Sequence, residues 1–481
     1  MTVNKTHELD RLFYPKSIAV IGASAKAGNG MGMGGPGGNN YIKGAITMNF
    51  NGKIYPVHPK GEDTLGFKTY KSVRDIPGEV DLVIFAIPAA ASLSVMEDCA
   101  VKGVKFAHLF TAGFSETGIE EYIVLEKKLL DIARSGGIRV VGPNCMGIYC
   151  PQGGLSFQPF FSEVPGSVSF FSQSGQLTGF FVMKAESLGL HFSKAVSFGN
   201  ASDLKAHDFL EYLAQDKTTE VIGSYIEGLK DGRKFFEVAR RVTSKKPVVI
   251  YKGGQTQGGS RATQSHTGAI AGSQAIWQAM CKQTGIISVD SLDELAYTIS
   301  ALQKMKLPKG KRVAILGGAG GGSVTMTDIA EKEGLYVPQL SDDSIRQLRE
   351  FIPVQGSSVK NPMDIGGNAY MGNHFETVIS ILREDPNIDA MIFLLPIGMF
   401  LRMMGRPMIN LMIEQILKIF EIFQKPLFLA LEKDDAYGSG ESINEVWERC
   451  KDIGIAVFPS FEMASKVLSN LNDYREFLSR Q

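Results

Sequence analysis

The sequence predicts an α/β protein built from three doubly wound domains, each a parallel β-sheet with helices on both faces. Short apolar segments of strand type, such as SIAVIGAS and VDLVIFAIP, alternate with segments of helical period along most of the chain. This alternation is typical of βαβ units, whose strands are buried on both faces. A length of 481 residues exceeds what one hydrophobic core supports, so several domains are expected.

Three sets of strands and helices follow one another along the chain. The first set ends near Cys150, where the connector CPQGGLSFQPFFSEVPG is rich in Pro, Gly and Ser. A second set begins at SVSFFSQSG, and a third begins with RVAILGGAGGG after LPKGK. The predicted domains are therefore 1–150, 151–307 and 308–481.

The second and third domains contain two similar segments. VSFFSQSGQLTGFFVMKAESLGL (168–190) aligns without a gap on VAILGGAGGGSVTMTDIAEKEGL (313–335). Each predicts a strand, a turn of small residues and a helix, a pattern that unrelated strand–turn–helix units also share. We favour instead a duplicated domain whose copies pair about a pseudo-twofold axis. Two helix N-termini would then lie together, and their free N–H groups and dipoles suit an anion.

Composition excludes several classes of function. Lys+Arg and Asp+Glu number 50 each, so no basic field indicates nucleic acid or an anionic membrane. The five cysteines are scattered without a CxxC pair, which is typical of a reducing compartment. The N-terminus lacks the apolar core of a signal peptide, and the run AMIFLLPIGMFL is short and interrupted by Pro and Gly. We expect a cytoplasmic protein with no nucleic-acid or membrane partner.

A glycine-rich loop, AVIGASAKAGNGMGMGGPGGNN, follows the first predicted strand and precedes a helix. Rossmann-like domains bind phosphate at this position. The next strand, in KIYPVHPKG, ends in His58, Pro59 and Lys60 rather than in the Asp or Glu that binds the ribose of NAD. A basic strand end favours a ligand with phosphate there, such as coenzyme A. Taken alone, Lys60 is equally well explained as a solvated loop lysine.

The segments quoted above, together with RATQSHTGAIAGS (261–273), resemble the NDP-forming (ADP-forming) acyl-CoA synthetases, relatives of succinyl-CoA synthetase. The resemblance covers nearly the whole chain, and the combination of SQSG, YIEG and SHTG is its most specific part. It implies a Rossmann-like CoA-binding domain followed by two flavodoxin-like ligase domains. It also implies an acid–CoA ligase: acyl-CoA and phosphate give acyl-phosphate and CoA, a histidine takes the phosphoryl group, and ADP accepts it.

The resemblance assigns roles to individual residues. His266 is the phosphorylated histidine, since a neutral imidazole is nucleophilic near neutral pH, and Glu227 orients its ring. The phosphoryl group lies at two helix N-termini, formed by Ser172, Gln173, Ser174 and Gly175 and by Gly320, Gly321, Gly322 and Ser323. Coenzyme A contacts Gly22, Ser24, Lys26, His58, Lys60, Ile87, Pro88, Asn144 and Cys145. Cys145 is expected to pack near the CoA thiol rather than act as a nucleophile, and no metal site is predicted.

The sequence contains nothing that resembles an ATP-grasp domain, the module that binds nucleotide and Mg²⁺ in this family. The domain order resembles that of a separate α subunit, which implies an α2β2 assembly with ATP/ADP and Mg²⁺ on the β subunit. Three features depart from the family pattern: a longer loop at 25–40, Gln255 in place of Arg, and His58 in place of Asn. Two other classes stay open, a CoA-binding or acyl-CoA-binding regulatory protein without ligase activity and, less favoured, an NAD-dependent dehydrogenase.

Overall fold

The computed structural model describes residues 7–25, 37–267, 273–318, 320–365, 373–395, 397, 408–431 and 440–481. Contacts divide the chain into two units, Met1–Leu292 and Asp293–Gln481. The first unit contains two β-sheets and the second contains one, and all three are wholly or mainly parallel. The predicted α/β class with three sheets is confirmed. None of the described helices is long and apolar enough to cross a membrane.

The first sheet has the strand order β2-β1-β3-β4-β5, and all its pairs are parallel. Its strands are β1 (Ser17–Ile21), β2 (Lys53–Val57), β3 (Leu82–Phe85), β4 (Phe106–Leu109) and β5 (Arg139–Val141). Its helices are α1 (Asp10–Phe13), α2 (Gly38–Thr47), α3 (Ser92–Lys102) and α4 (Glu120–Ser135). The strand order reverses between β1 and β3, and ligands of such sheets bind at the carboxyl ends of the strands near this point.

The second sheet has the order β11-β10-β9-β7-β8-β6, in which β6 pairs antiparallel with β8. Its strands are β6 (Gly147–Tyr149), β7 (Val168–Ser172), β8 (Phe192–Ser197), β9 (Val221–Ile226), β10 (Val248–Lys252) and β11 (Ile287–Val289). Its helices are α5 (Gly175–Ser187), α6 (Ala206–Gln215), α7 (Gly232–Val242), α8 (Gln257–Thr267) and α9 (Gln274–Thr284). Without β6, this is the flavodoxin-like order.

The second unit contains a parallel sheet of order β12-β13-β14-β15. Its strands are β12 (Val313–Leu316), β13 (Ala390–Leu395), β14 (Leu427–Leu431) and β15 (Val457–Phe458). The helices are α10 (Leu292–Lys304), α11 (Gly321–Lys332), α12 (Asp342–Arg349), α13 (Asn373–Glu384), α14 (Met408–Phe423), α15 (Gly440–Asp452) and α16 (Phe461–Ser479). Both similar segments form the expected strand, turn and helix, as β7 with α5 and as β12 with α11. The pseudo-twofold pairing of the two stays a prediction.

A buried ion pair in the domain of the second sheet lies against an aromatic ring of the N-terminal segment. Lys194, on β8, is 0% exposed, and its ammonium group donates to Asp216 Oδ2 at 2.8 Å. The same ammonium lies 5.0 Å from the centre of the Tyr14 ring and 5.9 Å from that of Tyr212. Burial alone would raise the pKa of Asp216, but the hydrogen bonds from Lys194 and Thr219 lower it overall.

We predict that Lys194→Met lowers the free energy of unfolding by about 3–5 kcal/mol, because it leaves the Asp216 carboxylate buried without its partner. Urea denaturation at neutral pH measures the change. The difference in unfolding free energy between Lys194→Met and wild type should become smaller below about pH 4. The Asp216 carboxyl has a lowered pKa in the folded protein, so its contribution to stability is lost as it becomes protonated. Arg233→Met is the control, since Arg233 pairs with Glu237 on an exposed helix face. An equal loss in both variants contradicts the prediction.

Candidate active site

The carboxyl ends of the first two sheets surround a cavity of about 570 Å³. The loops after β3, β4 and β5 form one side, and the N-terminus of α5 with the turn after β8 forms the other. The lining residues are Gly37, Ala86, Ile87, Pro88, Phe110, Thr111, Ala112, Asn144, Cys145, Met146, Gln173, Ser174, Gly175, Gln176 and Gly199. None of these residues has a charged side chain. The cavity has the size and the mainly apolar lining of a small-molecule site.

The N-terminus of α5 opens into this cavity. Ser174 caps the helix, since its Oγ accepts a hydrogen bond from the Leu177 N–H at 3.2 Å. The Ser172 hydroxyl donates to the Ser174 carbonyl at 2.9 Å and so closes the turn before the helix. A Cβ on Gly175 would lie 2.5 Å from Met146 Cγ, so a side chain there is excluded unless Met146 moves. The first N–H groups of a helix and its positive dipole end favour an anion at this point.

Glu227 directly follows β9 and is 7% exposed. The amide oxygen of Gln173 accepts the backbone N–H groups of Glu227 and Gly228 at 2.5 and 2.9 Å, which links Glu227 to the turn before α5. The Tyr225 hydroxyl donates to Glu227 Oε1 at 3.3 Å. Burial, followed by repulsion from Glu227, raises the pKa of Tyr225, so this hydroxyl stays protonated.

The second carboxylate oxygen of Glu227 lacks a donor. Oε2 is buried, and no group in the described part of the chain donates a hydrogen bond to it. Such an atom costs free energy, because it has lost water without gaining a partner. An N–H group that reaches Oε2, such as that of an imidazole ring, would remove this cost.

His266 belongs to α8, and its side chain lies outside the described part of the structure. The helix follows β10, the strand beside β9, and it lies against the 3-10 turn Ser115–Thr117 of the first sheet's domain. The elements that carry His266 and Glu227 therefore follow adjacent strands on the same edge of the sheet.

The structure brings some of the predicted coenzyme A residues together and separates others. Ile87, Pro88, Asn144 and Cys145 line the cavity. Gly22 has φ of +89° at the end of β1, and a Cβ there would lie 2.2 Å from the Ala86 carbonyl oxygen.

Three other predicted coenzyme A contacts, Ser24, His58 and Lys60, are not among the lining residues. Ser24 is held to α2 by Asn39, whose side chain accepts its N–H at 3.0 Å and donates to its carbonyl at 2.9 Å. Lys60 is exposed, and its backbone N–H donates to the ring of the neighbouring His58 at 3.2 Å. Lys26 lies outside the described residues. These residues keep their roles as predictions.

Cys145 has the environment of a packing residue. Its thiol is buried and lies 3.5 Å from the Leu109 carbonyl oxygen, to which it donates. Burial raises the pKa of this thiol, so the thiolate needed for nucleophilic attack is disfavoured.

Two residues that the sequence did not single out are Thr111, which lines the cavity, and Asn200, which contacts the lining residue Asn144. The Thr111 hydroxyl donates to the Ile87 carbonyl at 2.8 Å, and its own carbonyl accepts the Asn144 N–H at 2.9 Å. The Asn200 amide group donates to Glu116 Oε2 at 2.6 Å and joins the two sheets' domains. Both lie in segments that carry the resemblance, TAGFSETG and SFGNASDL.

Lys252 is a third residue that the sequence did not single out. It ends β10, is 6% exposed, and donates to the carbonyl oxygens of Glu227 and Gly253 at 2.6 and 2.5 Å. A lysine at the end of the apolar strand VVIYK is the signal that could have identified it.

The second unit has a helix N-terminus of its own at α11. Gly320 precedes the helix with φ of +55°, and a Cβ on Gly320, Gly321 or Gly322 would meet no atom within 4 Å. The Ser323 hydroxyl donates to the Gly318 carbonyl at 3.3 Å. The phosphate-binding role of these four residues stays a prediction. No group of three or more potential metal-ligand side chains occurs among the residues with described positions.

Comparisons with known proteins match all three sheets. The CoA binding domain model matches 16–151, the succinyl-CoA ligase like flavodoxin domain matches 165–302, and the ligase-CoA domain matches 313–436. The α subunit of ADP-forming acetate–CoA ligase I from Pyrococcus furiosus is 35% identical over 98% of this chain and 99% of its own. The chain belongs to the ADP-forming acyl-CoA ligase family. The predicted family is confirmed.

Two further matches extend the comparison. The α subunit of acetate–CoA ligase II from P. furiosus is 42% identical over 80% of this chain and 81% of its own length. The solved dinucleotide-forming acetyl-coenzyme A synthetase 1 of Ca. Korarchaeum cryptofilum, in complex with phosphate and ADP, gives a TM-score of 0.82 at 32% identity, with 98% of each chain covered. The alternative of a CoA-binding regulatory protein is not favoured by these matches.

We predict that Cys145→Ala keeps the turnover of this ligase-family chain within about threefold of wild type, because a buried, protonated thiol takes no chemical part. Steady-state turnover with the acyl-CoA that the enzyme uses measures the effect. A fall of more than about a hundredfold, in a variant that stays folded by circular dichroism, contradicts a packing role and indicates a nucleophile.

Proposed function

We propose that this chain is the α subunit of an ADP-forming acyl-CoA ligase, which interconverts acyl-CoA, ADP and phosphate with a carboxylic acid, ATP and CoA. In the first step an oxygen of phosphate attacks the acyl carbonyl carbon and the CoA thiolate leaves. A ring nitrogen of His266 then attacks the phosphorus of the acyl-phosphate, and the carboxylate leaves. Finally the phosphoryl group passes from His266 to ADP.

The observation that carries this proposal is the buried Oε2 of Glu227, to which no described residue donates a hydrogen bond. As His266 takes the phosphoryl group, its ring becomes cationic, and its second nitrogen carries an N–H. A carboxylate oxygen that lacks a donor fits that N–H and stabilises the developing charge. Glu227 stays in place through Gln173 and Tyr225, which supports its role in orienting the ring.

We place the acyl thioester end of coenzyme A in the cavity and the phosphate at the N-terminus of α5. The lining contributes backbone N–H groups and neutral side chains, so positive potential comes from the helix end rather than from lysine or arginine. Such donors bind the phosphate and the oxyanion that forms during attack on the carbonyl. The cavity volume of about 570 Å³ accommodates the thiol end of the ligand together with an acyl group.

We place ADP and Mg²⁺ on a separate ATP-grasp β subunit in an α2β2 assembly, so that the phosphoryl group crosses between two chains. The P. furiosus relatives are named as α subunits, which supports a partner chain. This chain spans 55% of the length of acetate–CoA ligase I from Archaeoglobus fulgidus, so that relative contains further sequence. Five free, buried cysteines support a cytoplasmic location.

We predict that the chain takes up phosphate label at His266. Purified chain, with and without the β subunit, is incubated with labelled phosphate and a panel of acyl-CoAs that begins with acetyl-CoA. The expected label is stable to base and labile to acid, as a phosphohistidine is, and is absent from His266→Ala. Label that persists in His266→Ala contradicts the residue assignment, and no label with any acyl-CoA contradicts the mechanism.

We predict that Glu227→Gln slows this labelling by about 10²- to 10⁴-fold, because a neutral amide stabilises the cationic ring poorly. Rapid-quench measurement of labelled protein gives the rate. Glu237→Gln is the matched control, since Glu237 lies half-exposed on α7 in the same domain. Equal rates for Glu227→Gln and wild type contradict the role of Glu227.

A further inference from the structure

Lys252 is a buried lysine that binds backbone carbonyl groups instead of a carboxylate. It is 6% exposed, and its ammonium donates to Glu227 O at 2.6 Å and to Gly253 O at 2.5 Å. No carboxylate oxygen of the described residues lies within 4.0 Å of its Nζ. Burial lowers the pKa of Lys252, and the attraction of Glu227 partly opposes this shift. Burying a charged ammonium group without a carboxylate partner costs free energy. The presence of a lysine at this buried position therefore requires an explanation.

The two carbonyl groups belong to the two segments that the proposed chemistry must align. Glu227 directly follows β9 and carries the orienting carboxylate, while Gly253 begins the segment that leads from β10 into α8, the helix of His266. The Gly253 N–H also donates to the Ile226 carbonyl at 2.8 Å. One ammonium group therefore bridges the position of Glu227 and the start of the path to His266.

A close approach of Gly253 to Tyr225 also restrains the position of the Gly253 segment relative to Glu227. A Cβ on Gly253 would lie 2.5 Å from the Tyr225 hydroxyl oxygen, and that hydroxyl donates to Glu227 Oε1. A shift of the Gly253 segment toward β9 would thus displace Tyr225 and, through it, the Glu227 carboxylate. Two residues further along, the Gln255 amide donates to the Lys252 carbonyl at 2.8 Å. This hydrogen bond restrains the part of the segment that leads to α8.

We propose that Lys252 is a positioning residue for phosphoryl transfer, which holds Glu227 and the segment leading to His266 in one fixed arrangement. This proposal rests on the function proposed above. Hydrogen bonds from a charged donor are about twice as strong as neutral ones, so the ammonium restrains both carbonyls. Misplacement of a reacting pair by about 1 Å costs up to about a hundredfold in rate.

The test compares Lys252→Met with Lys246→Met. Lys246 is the matched control, because its ammonium also donates to two backbone carbonyls, those of Leu213 and Asp216, but at the opposite end of β10. The single-turnover rate of His266 labelling is measured over a range of acyl-CoA concentrations. We expect Lys252→Met to slow labelling about 10- to 100-fold, while the half-saturating acyl-CoA concentration changes by less than about threefold. Lys246→Met should stay within about threefold of wild type in both.

A double-mutant cycle shows whether Lys252 acts through Glu227. In the Glu227→Gln background, Lys252→Met should slow labelling by less than about threefold, because the carboxylate that Lys252 positions is already replaced by an amide. Circular dichroism establishes that each variant is folded. If Lys252→Met does not fold, Lys252→Ala takes its place and should also slow labelling about 10- to 100-fold. Lys252→Gln, whose amide still donates to carbonyl groups, should slow labelling less than about tenfold.

The outcomes separate the two proposals. Absence of label on the wild-type chain contradicts the proposed function and, with it, the role of Lys252. Wild-type label together with unchanged labelling in folded Lys252→Met, or in Lys252→Ala where Lys252→Met is unfolded, contradicts the positioning role alone. Equal slowing by Lys252→Met in the wild-type and Glu227→Gln backgrounds also contradicts it, since Lys252 would then act independently of Glu227.

Discussion

Every strand of a parallel sheet ends on the same edge, and this constraint determines where the candidate site lies. Glu227 follows β9, Lys252 ends β10, and the Ser174 turn follows β7, so groups distant in sequence meet along one edge. In the first sheet the same rule brings the loops after β3, β4 and β5 to the cavity. A helix alone does not bring such distant residues together, because its side chains project in all directions around its axis. The carboxyl ends of parallel strands all lie on one edge of the sheet.

The site also depends on how the first two sheets are joined. The Asn200 side chain lies between Asn144, whose backbone has φ of +58°, and the carboxylates of Glu116 and Glu126. Glu116 in turn accepts the N–H groups of Gly113 and Phe114, in the loop that ends at the turn beneath α8. A buried polar network of this kind is stable only when nearly all its members form hydrogen bonds. A change at the cavity wall therefore also affects the turn that lies against α8, the helix of His266.

Local sequence features were sufficient to predict the strands, the turns after them and seven of the fifteen residues that line the cavity. Glu227 directly follows β9, and Gly175 and Asn144 lie three positions after β7 and β5, so each is placed at the carboxyl end of an apolar strand, where ligands bind. Lys252 and Asn200 were missed for a physical reason. Their hydrogen bonds cross to residues 25 and 84 positions away, and such partners depend on strand order, which periodicity does not reveal. The antiparallel pairing of β6 with β8 escaped prediction for the same reason.

The distribution of charge in the site suits transfer of a phosphoryl group rather than its storage. Among the described residues, the cavity lining has no lysine or arginine, and the buried Lys252 ammonium is bound to the carbonyl oxygens of Glu227 and Gly253. A phosphate held by helix N–H groups is bound more weakly than one paired with several guanidinium groups. Since the proposed cycle moves the phosphoryl group from acyl-phosphate to His266 and then to a second chain, tight binding at any one stage would slow the next. In the proposed cycle, the backbone donors of α5 and the single carboxylate of Glu227 avoid such a trap.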